Sequence, residues 1–151
     1  FGRDGEHPPV ADAVAASCAI PAFFSPVEIG AHTYIDGGVH SPTNADVLRD
    51  EPLDLVLVSS PMSRQGRRPR LSTDQAMRSW AGALLDAEVA RLRRRGVAVV
   101  AFQPDDAVLG EMGMNAMDPA RRGGIAEAAH ASARRKLARS DVLARLAALR
   151  P

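Results

Sequence analysis

The sequence predicts an α/β protein with parallel strands, and three observations support this. Leu53–Ser60 and Val97–Phe102 are short apolar runs, rich in β-branched residues and bounded by proline or glycine, as is typical of buried strands. Between them, Thr73–Arg95 repeats its apolar residues at helical spacing. A strand, a long helix and a second strand form a βαβ unit, whose two strands run parallel. Residues 1–151 contain no evident linker, so we expect part of a single α/β sandwich domain.

The N-terminal third predicts a helix and a hairpin. A proline pair begins a short Ala-rich helix at Val10, and Pro21 ends it. Val27–Ile29 and Thr33–Ile35 are short extended segments on either side of a glycine. An Asp-Gly-Gly run breaks the second segment, since glycine reaches backbone conformations that other residues avoid.

The C-terminal half predicts three helices. The first is the long helix of the βαβ unit, expected to bury the side that carries Met77 and to expose the side of Arg78. Asp118 is a good N-cap for the second, which is expected to run to about Leu137. The third begins at Ser140. Arginines cluster at the predicted helix ends, where positive charge complements the helix dipole.

Composition excludes several classes of protein. The net charge is +1, so no strong field favours nucleic acid, and no nucleic-acid partner is expected. The single cysteine, Cys18, rules out an internal disulfide and is expected to be a small core residue. A chain that cannot form an internal disulfide fits a reducing, cytoplasmic location. The Arg-rich segment Ser63–Leu71 is predicted to be an exposed loop. Such a loop is expected to contact anionic lipid headgroups, which would give peripheral membrane association.

Two short motifs carry a family resemblance. They are Ala16-Ser17-Cys18-Ala19-Ile20-Pro21 and Asp36-Gly37-Gly38, followed by Pro42-Thr43-Asn44. In this order, the stretch from about residue 10 to 60 resembles the patatin-like phospholipases. The resemblance implies the C-terminal part of a three-layer α/β/α sandwich with a mostly parallel sheet.

Two other blocks of that family are missing. The sequence contains neither the Gly-rich oxyanion loop nor the Gly-x-Ser-x-Gly elbow that supplies the nucleophile. In the family both precede the Ala-Ser block, and this sequence opens with Phe-Gly-Arg-Asp-Gly. We therefore expect a C-terminal portion whose partner is the N-terminal half of the same domain, and which is inert alone. A sheet edge left open to that half would favour aggregation.

The resemblance also implies a mechanism. Patatin-like enzymes use a Ser-Asp dyad, so by this resemblance Asp36 would be the general base. Gly37 and Gly38 would place its carboxylate. Ser17 and Pro21 belong to the neighbouring Ala-Ser block. The implied reaction is hydrolysis of a phospholipid or lysophospholipid ester, without metal or cofactor.

Simpler alternatives exist for each candidate residue. Asp36 could be a turn carboxylate bonded to its own backbone, and Ser17 a packing or capping residue. His32 and His40 flank Asp36, but exposed loop histidines are common. Asp105 and its neighbour could suggest a metal, although a solvated loop is the favoured interpretation. A non-catalytic interaction domain of the same fold is the alternative to an enzyme.

Overall fold

The computed structural model describes residues 6–64, 73–113, 115 and 118–149. The chain divides into two compact units, Phe1–Asn44 and Ala45–Pro151. The chain contains both helices and strands, and one pair of strands is parallel, so the predicted α/β class is confirmed.

The first unit consists of a helix and a hairpin. Helix α1 spans Val10–Ser17, and β1 (Val27–Ile29) pairs antiparallel with β2 (His32–Tyr34). Gly30, at the turn, has a φ of 58°, in the left-handed region that glycine tolerates best. A β-carbon there would also lie 2.6 Å from Oε1 of Glu6, although that flexible side chain could move aside, so the backbone conformation is the main reason for glycine at this turn.

The second unit contains the βαβ element. A short 3₁₀ turn at Ala45–Leu48 precedes β3 (Leu55–Ser59), α2 (Thr73–Arg94) and β4 (Ala98–Phe102). Strands β3 and β4 are parallel neighbours, so the predicted unit is confirmed. Its core joins valines of both strands to the buried side of α2, and its fully enclosed leucines are Leu85 and Leu92.

One prediction about β3 was wrong. The strand was expected to be buried on both faces, but Val56 and Val58 are buried while Leu57 is 63% exposed. The apolar run therefore serves a strand covered on one side only, by α2. β4 is the enclosed strand, since its adjacent residues Val99 and Val100 are both buried.

The buried side of α2 was also misjudged at its first turns. Met77 is exposed, whereas Arg78 is only 4% exposed. The guanidinium of Arg78 donates to Asp74 Oδ2 and to the carbonyl of Pro61, each at 2.9 Å. A buried arginine is tolerable when its charge and donors are satisfied in this way, and periodicity cannot show that.

Three helices complete the second unit. They are α3 (Asp106–Met112), α4 (Arg122–Leu137) and α5 (Ser140–Ala147). The Asp118 cap is confirmed, because its carboxylate accepts from the Ala120 N–H at 3.0 Å, but it begins a 3₁₀ turn ahead of α4. Most of the predicted Arg-rich loop lies outside the described residues, but its first two residues, Ser63 and Arg64, are buried rather than exposed as expected. Within the described ranges, no helix has both the length and the apolar character needed to span a bilayer.

Asp105 does not lie in a solvated loop as expected; it caps a helix that the sequence did not predict. Its Oδ1 accepts from the Val108 N–H at 3.1 Å, and its Oδ2 accepts from Ser132 and Arg135 of α4 at 2.7 Å each. The Ser132 hydroxyl, with Arg135 and the Val108 N–H, lowers the pKa of Asp105 from 3.8 to about 2, against an opposing effect of burial. The carboxylate thus joins α3 to α4.

Asp105→Asn is expected to make stability less sensitive to acid. Because the pKa of Asp105 is lower in the folded state, its contribution is complete above about pH 4 and is lost as the pH falls toward 2. Arg135 is largely exposed, so we expect the variant to lose about 1 kcal/mol of unfolding free energy near neutral pH. Urea unfolding, followed by fluorescence of Trp80, should show this deficit shrinking toward about pH 2. Glu127→Gln, at an exposed site on α4, is the control, and a deficit independent of pH would contradict the assignment.

Candidate active site

Asp36 lies at the start of a tight turn just after β2. It precedes a 3₁₀ turn, Gly37–Val39, and its Oδ1 accepts from the Gly38 N–H at 2.6 Å. The side chain is half-buried. Among the described residues, nothing bonds to Oδ2, so one carboxylate oxygen is oriented by the backbone while the other stays available.

A backbone hydrogen bond joins the two sequence motifs. The N–H of Asp36 donates to the carbonyl of Ala19, inside the Ala-Ser block, at 3.0 Å. Ala16 and Ala19 of that block are buried, whereas Ser17 and Pro21 are exposed. The alanines, rather than Ser17, therefore supply the close packing that the block was expected to provide.

Gly37 and Gly38 differ in how much space surrounds them. Neither Gly37 nor Gly38 has a positive φ, so the turn does not depend on glycine's wider backbone freedom. At position 38, however, a β-carbon would lie 2.9 Å from Oδ1 of Asp36. At position 37 the nearest atom, Nδ2 of Asn44, would be 3.4 Å away. Space beside the carboxylate is what calls for glycine at position 38.

Gly38→Ala is therefore expected to displace the Asp36 carboxylate, while Gly37→Ala should largely preserve it. The measurement is the amide proton shift of residue 38 in ¹⁵N-edited NMR spectra. A short bond to a carboxylate moves this signal downfield, and the shift should be lost in Gly38→Ala only. Equal spectra for both variants at this amide would contradict the steric argument.

Ser41 and Asn44 support the turn, and the sequence did not single out their roles. The buried Ser41 hydroxyl oxygen accepts from the N–H groups of Thr43 and Asn44, each at 3.2 Å. The Asn44 amide donates to the carbonyls of Gly37, at 3.1 Å, and Ser41. Asn44 has a φ of 47°, a region that asparagine tolerates better than most residues. An asparagine shortly after Asp-Gly-Gly was the available signal.

Among the described residues, neither flanking histidine forms a hydrogen bond or ion pair with the Asp36 side chain. His32 and His40 are exposed, and His32 Nδ1 lies 3.4 Å from Glu6 Oε1. Cys18 is exposed, which contradicts its predicted place in the core; it follows directly on the last residue of α1. In the part of the chain that the structure describes, no three potential metal ligands cluster.

Asp36 thus lies half-buried at a glycine turn, and its backbone is hydrogen-bonded to the Ala-Ser block. Residues 2–49 match the family model described as Patatin-like phospholipase. The predicted resemblance is confirmed over this segment, and it supports the lipid acyl hydrolases as the general class. Searches of curated proteins and of solved structures found no match.

Proposed function

We propose that this chain supplies the general base, Asp36, of a Ser-Asp dyad that hydrolyses phospholipid or lysophospholipid esters. The observation that carries the proposal is that the two oxygens of the Asp36 carboxylate have different surroundings. Oδ1 is held by the Gly38 N–H, and Oδ2 has no partner among the described residues. An oriented carboxylate with a free oxygen is what a general base needs.

The chemistry follows from that geometry. A serine hydroxyl is a weak nucleophile until a base takes its proton. Oδ2 of Asp36 would accept this proton as the serine oxygen attacks the ester carbonyl, and would return it to the departing alcohol. The serine and the oxyanion donors would come from polypeptide outside these 151 residues, since no Gly-x-Ser-x-Gly occurs in them. A cytoplasmic enzyme that contacts membranes peripherally would have access to such lipids.

A second candidate is a non-catalytic domain of the same fold. A natural polypeptide that contains this chain but lacks the Gly-x-Ser-x-Gly elbow throughout its length would favour it, because a fold without a nucleophile can still bind partners. The Asp36 turn would then be purely structural, with Oδ1 satisfying the Gly38 N–H and no role for Oδ2.

Fluorophosphonate labelling separates the two candidates. The probe is applied to the longest natural polypeptide that contains this chain, and to the 151-residue chain alone. We expect label on a serine outside this sequence, seen by peptide mass spectrometry, and none on the chain alone. Labelling of Ser17 or Ser41 would contradict the dyad, and no label in the longer polypeptide would favour the non-catalytic domain.

A further inference from the structure

Two cavities of different character adjoin in the second unit. One has a volume of about 160 Å³ and the other of about 370 Å³. Gln103 and Lys136 line both, so the cavities are neighbours that share part of a wall. Neither cavity includes a residue of the Asp36 turn.

The smaller cavity is apolar. It lies at the carboxyl ends of β3 and β4, where Ser59 and Phe102 form part of its wall, and helices α3 and α4 line its other sides. Open α/β sheets commonly bind ligands at this end of their strands. Its apolar lining is formed by Phe102, Val108, Met112, Ile125, Ala129 and Ala133. A cavity of roughly 150 Å³ with such a lining accommodates a benzene-sized group, about six carbons.

The larger cavity is cationic. Five positively charged side chains line it against two carboxylates, an excess of three positive charges. The positively charged residues are Arg64, Arg93, Lys136, Arg139 and Arg145. One of the carboxylates, Asp141, already pairs with Arg139 at 3.0 Å.

Several of these cations are incompletely satisfied. Arg93 and Arg145 both donate to one carbonyl, that of Val99, at 3.0 and 3.2 Å, which brings two like charges together. Arg64 is 6% exposed, and among the described residues its Nε has no hydrogen-bond partner. The guanidinium of Arg64 has a single longer ionic contact, 3.7 Å to Asp106.

Lys136 lies at the junction of the two cavities. It is half-buried, and no described residue forms a hydrogen bond or a salt bridge with its amine. Burial, followed by the nearby charges of Arg139 and Arg93, lowers the pKa of Lys136. An anion beside this amine would offset both effects.

From this geometry we propose that the second unit binds a single-chain amphiphile with an anionic head group. The alkyl chain occupies the apolar cavity, the head group lies in the cationic cavity, and Lys136 contacts the head group where the two meet. The proposal concerns residues of the second unit alone and does not depend on the Asp36 proposal.

Calorimetric titration of the full chain with three probes tests the proposal: n-hexyl phosphate, inorganic phosphate and 1-hexanol. Each half of the ligand contributes, so hexyl phosphate should bind at least about tenfold more tightly than either of the others. Equal affinity for inorganic phosphate would mean a simple phosphate site, and equal affinity for hexanol an apolar pocket only. Either result, or no binding of hexyl phosphate, would overturn the proposal.

Two variants locate the site. Lys136→Met keeps the stem but removes the charge, and should weaken hexyl phosphate about tenfold while leaving hexanol unchanged. Ala133→Leu fills the apolar cavity and should reduce hexyl phosphate to the affinity of inorganic phosphate. Arg134→Met, on the same helix but outside both cavities, is the matched control. Wild-type binding by both test variants, with Trp80 fluorescence showing that they are folded, would place the ligand elsewhere and refute the assignment.

Discussion

Asp36→Asn is expected to lower the rate of ester hydrolysis by about 10²- to 10⁴-fold, the usual contribution of general acid–base catalysis. The asparagine keeps an oxygen that can accept from the Gly38 N–H, so the turn should persist. Its amide nitrogen cannot take a proton from serine. The measurement is hydrolysis of a short-chain p-nitrophenyl ester by the polypeptide that contains both this chain and the nucleophile.

Asp12→Asn provides the matched control for this experiment. Asp12 is an exposed residue in the first turn of α1, and its carboxylate has no contact among the described residues. The same substitution there should leave hydrolysis unchanged. If Asp36→Asn kept normal activity, Asp36 would be only a turn carboxylate and the dyad would be excluded.

Leu85→Ala is expected to reduce the unfolding free energy of the second unit by about 2–5 kcal/mol. Leu85 is 0% exposed and lies in α2 against the valines of β3 and β4. Its truncation removes apolar contacts and leaves a cavity. Since natural domains are stabilised by only about 5–15 kcal/mol, this loss is a large share of the total.

Urea unfolding followed by Trp80 fluorescence measures this loss, because the chain's only tryptophan lies in α2. Leu143→Ala is the control, since Leu143 is 53% exposed on α5 and should cost little. Equal losses for the two variants would show that α2 does not form the core of this unit.

The regular elements could be predicted because their signals are local. The apolar runs and the helical period of α2 were sufficient for the βαβ unit, and Asp118 marked a helical turn. The exposure of Leu57 could not be predicted, since an apolar run does not reveal whether anything packs on the second face of the strand. α3 was missed because its seven residues are too few to show a clear period.

The candidate site was predicted by its residues but not by its contacts. The motifs identified Asp36, but not the bond from its N–H to Ala19, which depends on how α1 and the hairpin meet. Glycine at position 38 was expected to let the backbone turn without an intervening side chain, but the motif could not show that a β-carbon there would lie 2.9 Å from Oδ1 of Asp36. Such reasons come from atoms distant in sequence, as does the grouping of Arg64, Arg93 and Lys136 around one cavity.

The carbonyl of Val99 has a consequence for the sheet as a whole. Alternate residues of β4 direct their backbone groups toward β3, as Ala98 and Phe102 do, so Val99 faces the outer edge of the strand. There, Arg93 and Arg145 occupy its oxygen. A further strand beside β4 would have to displace two guanidinium groups, whereas β3 has no second strand partner among the described residues. Pairing of a further strand with this edge of β4, including self-association, is therefore opposed at Val99 by two positive charges.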